Sequence, residues 1–163
     1  MLTVLSAVRR WLMCINAFGA GLMMLVVFGI VFANATWRYS AGKSIVWGED
    51  VAVFAMIFGI MFGMALAYLQ DGHVRFQFAA SLVPKRWHKG HRVLIDVLVL
   101  AVGIGLAWSA FEFISSRGGR LSPSTGIPMG VFQSAVLCGG VLLSLSALTM
   151  ALWRFYEQEA AAQ

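Results

Sequence analysis

Two adjacent carboxylates, Glu49 and Asp50, stand at the edge of a long apolar run in the stretch SIVWGEDVAVFAMIFG. Paired acids can hold a cation, exchange protons or bind a basic surface of a second protein. Asp96 and Glu112 lie inside another apolar run, and ionisable residues in such runs are functional candidates by default. These four acids are the first residues to weigh for chemistry.

Other reactive side chains do not converge. The three histidines, His73, His88 and His91, lie in or beside one basic segment, and the sequence has no HExxH motif, Cys/His cluster or glycine-rich phosphate loop. Cys14 and Cys138 are far apart in apolar runs, so we expect both to be buried as small hydrophobic residues. The sequence therefore predicts a protein that is not an enzyme and that uses no metal or other cofactor.

The elements that carry the acids follow from composition. Of the 163 residues, 60% are hydrophobic and only 12% are charged, which is typical of an integral membrane protein. Four apolar runs are long enough to cross about 30 Å of hydrocarbon. We place them at about 12–35, 48–70, 93–113 and 128–153. The prediction is an all-α protein, a single membrane domain over residues 1–163 with four transmembrane helices.

The first run has a second interpretation, a cleaved signal peptide. Arg9 and Arg10 precede it, and Ala33-Asn34-Ala35 has the small-x-small pattern of a cleavage site. Its apolar stretch of about 24 residues is longer than the 7 to 15 residues usual in signal peptides, which favours a retained helix.

A basic segment at about 74–88 separates the second and third runs. It combines a short apolar stretch with flanking cations, which predicts a short amphipathic helix lying on the cytoplasmic membrane face, with an irregular loop as the alternative. The residues expected at this lipid and cytoplasmic interface are His73, Arg75, Lys85, Arg86 and Trp87.

The distribution of charge predicts orientation. Of the twelve Lys and Arg residues, only Arg38, Lys43, Arg117 and Arg120 fall on the side of the bilayer opposite this segment. The positive-inside bias therefore places both termini in the cytoplasm. We assign the basic surplus to contact with anionic phospholipid and not to nucleic acid.

Small residues recur every four positions in two runs, which predicts close helix packing. They are Ala55, Gly59, Gly63 and Ala67 in the second run and Ala17, Gly21, Gly29 and Ala33 in the first, where Leu25 fills the gap in the series. The spacing does not decide whether these faces pack within the chain or against another subunit.

The acids have structural interpretations as well as functional ones. Asp96 lies one helical turn after Arg92, which predicts an ion pair at the membrane interface, and Glu112 lies near the opposite end of the same run. Glu49 and Asp50 would be favoured by the dipole at the start of the second helix. Arg38 and Lys43 could pair with them, or the acids could fix the helix against a second protein.

Several motifs in order resemble a known family. Asn34, Arg38-Tyr39, the WGED of residues 47–50, the GHVR of residues 72–75 and the GIP of residues 126–128 occur along nearly the whole chain. Together they resemble the small membrane subunit (Q-type) of TRAP transporters, the tripartite ATP-independent periplasmic transporters. Arg38, Trp47, Glu49 and Asp50 match that family's first-loop motif, and His73 and Arg75 match its cytoplasmic motif, although Gln77 stands where the family usually has an acid.

The resemblance implies a function without catalysis. In this family a large multi-span membrane subunit carries the substrate and ion sites, and a periplasmic substrate-binding protein delivers an organic acid. The small subunit braces the large one in the bacterial inner membrane and helps present the docking surface. The partner interface expected here comprises Arg38, Trp47, Glu49, Asp50, Gly59 and Gly63. The alternative function is a self-sufficient, homo-oligomeric channel or transporter that uses Asp96 and Glu112.

Overall fold

Four long helices make up the fold of the chain, whose computed structural model describes residues 2–70, 88–123 and 125–161. They are α1 (Leu2–Ala41), α2 (Val46–Leu69), α3 (His88–Arg117) and α4 (Met129–Ala161). Each contains a segment long and apolar enough to cross a membrane. The predicted all-α class with four transmembrane helices is confirmed.

The helices extend beyond the apolar runs that predicted them. The first run was placed at about 12–35, whereas α1 includes both Arg9 and Arg38. Backbone hydrogen bonding continues past the edge of the hydrocarbon, so composition alone does not show where a helix ends. α1 stops at Gly42, whose φ of 67° is left-handed and whose N–H donates to the Arg38 carbonyl oxygen at 3.1 Å.

The amphipathic helix predicted at about 74–88 lies outside the described residues except for His88. That residue is the first of α3.

α4 lies between the other helices and packs against each of them, most extensively against α3. The close approach depends on two consecutive glycines. A Cβ added at Gly140 would lie 2.6 Å from the Ala107 backbone nitrogen and 2.8 Å from the Gly103 carbonyl oxygen of α3. One added at Gly139 would lie 2.7 Å from the Met61 sulfur of α2. Gly140 thus lets α4 approach the α3 backbone, and Gly139 lets it pack directly on the Met61 side chain of α2.

The α1–α2 hairpin uses a different glycine from those that the sequence pattern selected. A Cβ at Gly19 would lie 2.8 Å from the Phe62 ring, so α2 presses closely on α1 there. Of the predicted α2 face, Ala55 is buried, and a Cβ at Gly59 would meet Met23 at 3.4 Å. The predicted α1 face, by contrast, is exposed at Ala17, Gly21, Gly29 and Ala33. That face is therefore directed away from the rest of the chain.

The expected burial of the cysteines is wrong. Cys14 and Cys138 are free thiols, and both are exposed on the helix surfaces. In water an apolar run predicts burial, but lipid tails solvate apolar side chains as well as a protein core does. Hydrophobicity in a membrane helix therefore does not show which face packs against protein.

A short connection ties α3 to α4. Ser122 N–H donates to the Ile127 carbonyl oxygen and Met129 N–H to that of Arg120, at 2.9 and 2.7 Å. Gly126 adopts a left-handed φ of 67°, which explains the glycine of the GIP motif as a turn residue.

Candidate functional site

The connection between α1 and α2 is fixed by Asn34. Its Oδ1 accepts a hydrogen bond from the Ile45 backbone N–H at 2.8 Å. Ile45 is the N-cap of α2 and has no side-chain cap of its own, so α1 supplies an acceptor where α2 begins. Gly48 is buried beside the same asparagine, and a Cβ added at Gly48 would lie 3.7 Å from the Asn34 Cγ. Asn34 thus sets how α2 enters the bundle.

Arg38 and Glu49 of the first-loop motif line a pocket of about 660 Å³ between these two helix ends, called here the α1–α2 pocket. Its apolar wall includes Ile30, Val31, Ala52 and Val53, and its polar wall includes Asn34, Arg38, Ser44 and Glu49. The charged residues lie nearest the helix ends. The pocket therefore has an apolar floor and a charged mouth.

Two charges at the mouth, those of Arg38 and Glu49, are not paired with each other in the described chain. Glu49 is exposed in the first turn of α2, where the helix dipole favours a carboxylate, and Asp50 is half-buried. Among the described residues Glu49 forms no ion pair with Arg38 or Lys43. The acid and the exposed Arg38 guanidinium are thus available to bind a second molecule.

The remaining predicted interface residues are distributed along α2. Trp47 is 50% exposed beside the pocket, and Gly59 packs against Met23 as described above. Gly63 is half-buried, and a Cβ there would meet nothing within 4 Å. His73, Arg75, Lys85, Arg86 and Trp87 lie outside the described residues.

Asp96 lies at the opposite end of the bundle and joins three helices. Its carboxylate is buried in α3 and accepts hydrogen bonds from the Tyr68 hydroxyl of α2 and the Arg154 guanidinium of α4. The predicted partner was Arg92, whose side chain lies outside the described part. Arg154 neutralises the Asp96 charge where little water can reach it.

α1 joins this end of the bundle through Arg9. Its Nε and Nη2 donate to the Leu69 carbonyl oxygen at 3.2 and 2.9 Å, which satisfies an acceptor at the end of α2. The guanidinium carbon also lies 6.0 Å from the centre of the Trp153 ring of α4. All four helices are therefore tied together by polar contacts at the end that carries both chain termini.

The other acid in α3 stands apart. Glu112 is exposed, and its carbonyl oxygen accepts hydrogen bonds from the hydroxyls of Ser115 and Ser116. At 1.5 Å per residue it is about 24 Å along the helix from Asp96, so the two acids do not form one site. Within the described ranges, no three His, Cys, Asp or Glu side chains are grouped as metal ligands would be.

Sequence reasoning missed the partners of Asp96 and the role of Arg9. A signal was present, because four antiparallel helices bring the starts of α1 and α3 beside the ends of α2 and α4. Charged or hydroxyl-bearing residues at those four positions, such as Arg9, Tyr68, Asp96 and Arg154, are then the natural candidates to pair.

Comparisons with known proteins agree with this architecture. Residues 27–157 match the family model described as tripartite ATP-independent periplasmic transporters, DctQ component. Two Haemophilus influenzae proteins named as TRAP transporter small permease proteins are similar to the chain. One is 22% identical over 120 residues, covering 74% of this chain and 73% of the relative. The other is 23% identical over 123 residues and covers 74% of each.

A larger protein matches part of the chain. The sialic acid TRAP transporter permease protein SiaT of Haemophilus influenzae is 25% identical over 79 residues, which are 48% of this chain but 13% of that protein. The family is a transporter component and not an enzyme, and its match spans helices from α1 to α4. This bacterial membrane chain belongs to the DctQ family, the small membrane subunits of tripartite ATP-independent periplasmic transporters.

Proposed function

We propose that the chain is the non-catalytic brace of an ion-coupled, secondary active transporter that takes up an organic acid. It supports a large permease subunit in the bacterial inner membrane and helps to dock the periplasmic substrate-binding protein. Both termini lie in the cytoplasm, as the distribution of Lys and Arg predicts, so the α1–α2 pocket opens toward the periplasm.

A large partner is supported by the match to SiaT. Sequence similar to this chain makes up 13% of that much longer permease, whose name gives sialic acid, an organic acid, as its substrate. The exposed face of α1 also suits a helical partner. It carries large apolar side chains, including Phe18, Leu25 and Phe28, around the exposed Gly21 and Gly29, where a second helix can approach closely.

The brace role is supported by contacts that join the helices at both ends. Asn34 holds the start of α2, while Arg9 and Asp96 tie together the other end. In the described spans the cationic side chains lie toward the helix ends, and none lies midway where an anionic substrate would cross. We therefore assign substrate binding to the large partner.

Anchoring is assigned to the mouth of the α1–α2 pocket, and one observation carries this assignment. Arg38 and Glu49 are exposed and, among the described residues, form no ion pair with each other. A partner with complementary charges can engage both, and such pairs fix the register of an interface more than they add affinity. Trp47, half-exposed beside them, adds an aromatic contact of the kind enriched at interfaces.

The test is co-expression of the chain with its large permease. Replacing both acids, Glu49→Ala with Asp50→Ala, should lower the yield of the complex and the uptake of substrate without reducing membrane insertion. Glu112→Gln is the matched control, because it removes an exposed acid at the same end of the bundle. Unchanged yield and uptake in the double variant would mean that these acids do not anchor the permease.

A second experiment separates the brace from a self-sufficient transporter. Liposomes that contain only this chain should take up no organic acid, and adding the large subunit should be required for uptake. If the chain alone takes up organic acid, and Asp96→Asn or Glu112→Gln abolishes this uptake, the chain is a self-sufficient transporter and the brace proposal is wrong.

A further inference from the structure

A lateral groove of about 570 Å³ lies between α1 and α4 near the end that carries the termini. Its walls are almost wholly apolar and come from Ala7, Val8, Trp11 and Leu12 of α1 and from Leu145 and Thr149 of α4. α1 packs mainly on α2 and more lightly on α4, which leaves this α1–α4 groove open to the side. An open apolar groove in a transmembrane surface has the dimensions to hold part of a hydrocarbon chain.

Two cations flank the groove. At about 100° per residue, Arg9 and Arg10 lie on either side of the α1 face that carries the lining residues. Helical side chains tilt toward the N-terminus, and long cationic ones extend to the membrane interface, so the Arg10 guanidinium is directed to headgroup level. The Arg9 guanidinium lies at the end of α2, beside Leu69 and over the Trp153 ring. Trp11, which is 68% exposed on the groove wall, is also typical of that interface.

The charges of these arginines are not neutralised within the described chain. Arg9 donates to the Leu69 carbonyl oxygen and lies over Trp153, but neither contact supplies a negative charge. Arg10 is exposed. Across the described ranges, neither arginine forms an ion pair with a carboxylate.

We propose that the α1–α4 groove is a binding site for an anionic phospholipid. One acyl chain occupies the groove, and the phosphate is held by Arg9 and Arg10. The charge of the two arginines favours an anionic lipid over a zwitterionic one. A zwitterionic headgroup carries a cation of its own, whereas an anionic headgroup supplies the negative charge that the arginines lack within the described chain. This site goes beyond the proposed brace function and is separate from the α1–α2 pocket at the other end of the bundle.

Lipid quenching of Trp11 fluorescence tests the proposal. The full chain is placed in symmetric nanodiscs that contain phosphatidylglycerol or phosphatidylcholine with brominated acyl chains, so the result does not depend on orientation. The emission lost in Trp11→Phe defines the Trp11 signal. From the quenching of Trp11, we expect the affinity of the groove for brominated phosphatidylglycerol to exceed its affinity for brominated phosphatidylcholine. The expected factor is about five for each cation, the equivalent of ~1 kcal/mol. Equal quenching by the two lipids would overturn the proposal.

Two variants separate the headgroup contact from the groove. Arg10→Gln should reduce the preference about five-fold, whereas Lys43→Gln, an exposed cation at the opposite end, should leave it unchanged. Ala7→Phe fills the groove from an exposed position and should weaken quenching by the anionic lipid. An effect of Arg10→Gln without one of Ala7→Phe would show surface attraction alone and would refute a site in the groove.

A last experiment tests whether the complex with the large permease still binds the lipid. After delipidation and titration with phosphatidylglycerol, native mass spectrometry should show a bound lipid that is lost in Arg10→Gln. If assembly with the permease abolishes this binding, the groove is covered by protein and the proposal fails.

Discussion

The Asp96 carboxylate of α3 and the Arg154 guanidinium of α4 form an ion pair of 2.5 Å, with 6% and 17% of their side chains exposed. The Tyr68 hydroxyl of α2 donates to the same carboxylate oxygen. Desolvating either charge alone is expensive, so the two side chains must come together for this end of the bundle to pack. Neither charge can therefore be buried at this end of the bundle without the other.

Removing one member of the pair should be strongly destabilising. Asp96→Ala removes the carboxylate that the Arg154 guanidinium and the Tyr68 hydroxyl share, and breaking a buried pair in this way costs about 3–5 kcal/mol. Thermal unfolding of the detergent-purified protein measures the loss. The double variant Asp96→Leu with Arg154→Met leaves neither charge and should unfold at a higher temperature than either single variant.

Glu112→Gln is the control for this measurement. It neutralises an acid on the same helix that is exposed, so its unfolding temperature should match that of the unchanged chain. An Asp96→Ala protein as stable as this control would show that the pair contributes nothing to the fold.

The close crossing of α3 and α4 gives a second prediction. Gly140→Ala would place a methyl group 2.6 Å from the Ala107 backbone nitrogen, which backbone atoms cannot avoid by rotating. We expect a loss of about 1–3 kcal/mol in unfolding free energy, measured by denaturant titration in detergent.

Gly105→Ala is the matched control for Gly140→Ala. It also lies within a helix, but a Cβ there meets nothing within 4 Å. Since alanine favours a helix over glycine by about 1 kcal/mol, this variant should be equally stable or more stable. A similar loss in both variants would argue that the crossing does not depend on glycine.

The number and type of the helices were predictable, because each apolar run had to cross the bilayer as a helix. Their packing was not. The eight-residue spacing of Gly21 and Gly29, two steps of four, shows that they share a face, but not what covers it, and this face of α1 is exposed. Gly19, which lies against the Phe62 ring, belongs to no such four-residue series.

The candidate site was predictable only in part. The motif around Glu49 was found from the sequence, yet the role of Asn34 depends on a contact with Ile45 across the turn. For Asp96, the local helix rule selects Arg92, whose side chain lies outside the described part, but it cannot select Arg154, the partner 58 positions along the chain. Such partners depend on how the four helices are arranged, and local sequence patterns do not predict that arrangement.

Asn34 provides a third prediction. Asn34→Ala removes the acceptor for the Ile45 N–H, and losing a comparable helix cap costs about 0.5–2 kcal/mol. Hydrogen exchange followed by mass spectrometry should show faster exchange at the start of α2 and little change at the end of α4.

Asn34→Asp tests whether the Oδ1 acceptor alone is sufficient to hold the Ile45 N–H. An aspartate retains an oxygen acceptor of the same length, so the start of α2 should stay protected in this variant. Equal loss of protection in both variants would mean that the Asn34 Nδ2 group, and not Oδ1, holds the connection.

Asn16 makes the last prediction, since it is fully buried in α1 with only part of its amide satisfied. Its Nδ2 donates to the Leu12 carbonyl oxygen at 2.8 Å, but its Oδ1 has no hydrogen-bond partner among the described residues. A buried acceptor without a donor costs about 1–3 kcal/mol. Asn16→Leu, similar in size and wholly apolar, should therefore raise the thermal unfolding temperature in detergent, while Asn16→Asp should lower it by burying a charge.

The loss of the Nδ2 bond in Asn16→Leu should matter little. Leu12 is in mid-helix, where its carbonyl oxygen also accepts the backbone N–H one turn later, so no acceptor is left bare. A fall in unfolding temperature on Asn16→Leu would contradict this reasoning and would mean that Oδ1 accepts a hydrogen bond in the isolated chain. Repeating the measurement on the complex with the large permease shows whether assembly supplies a donor.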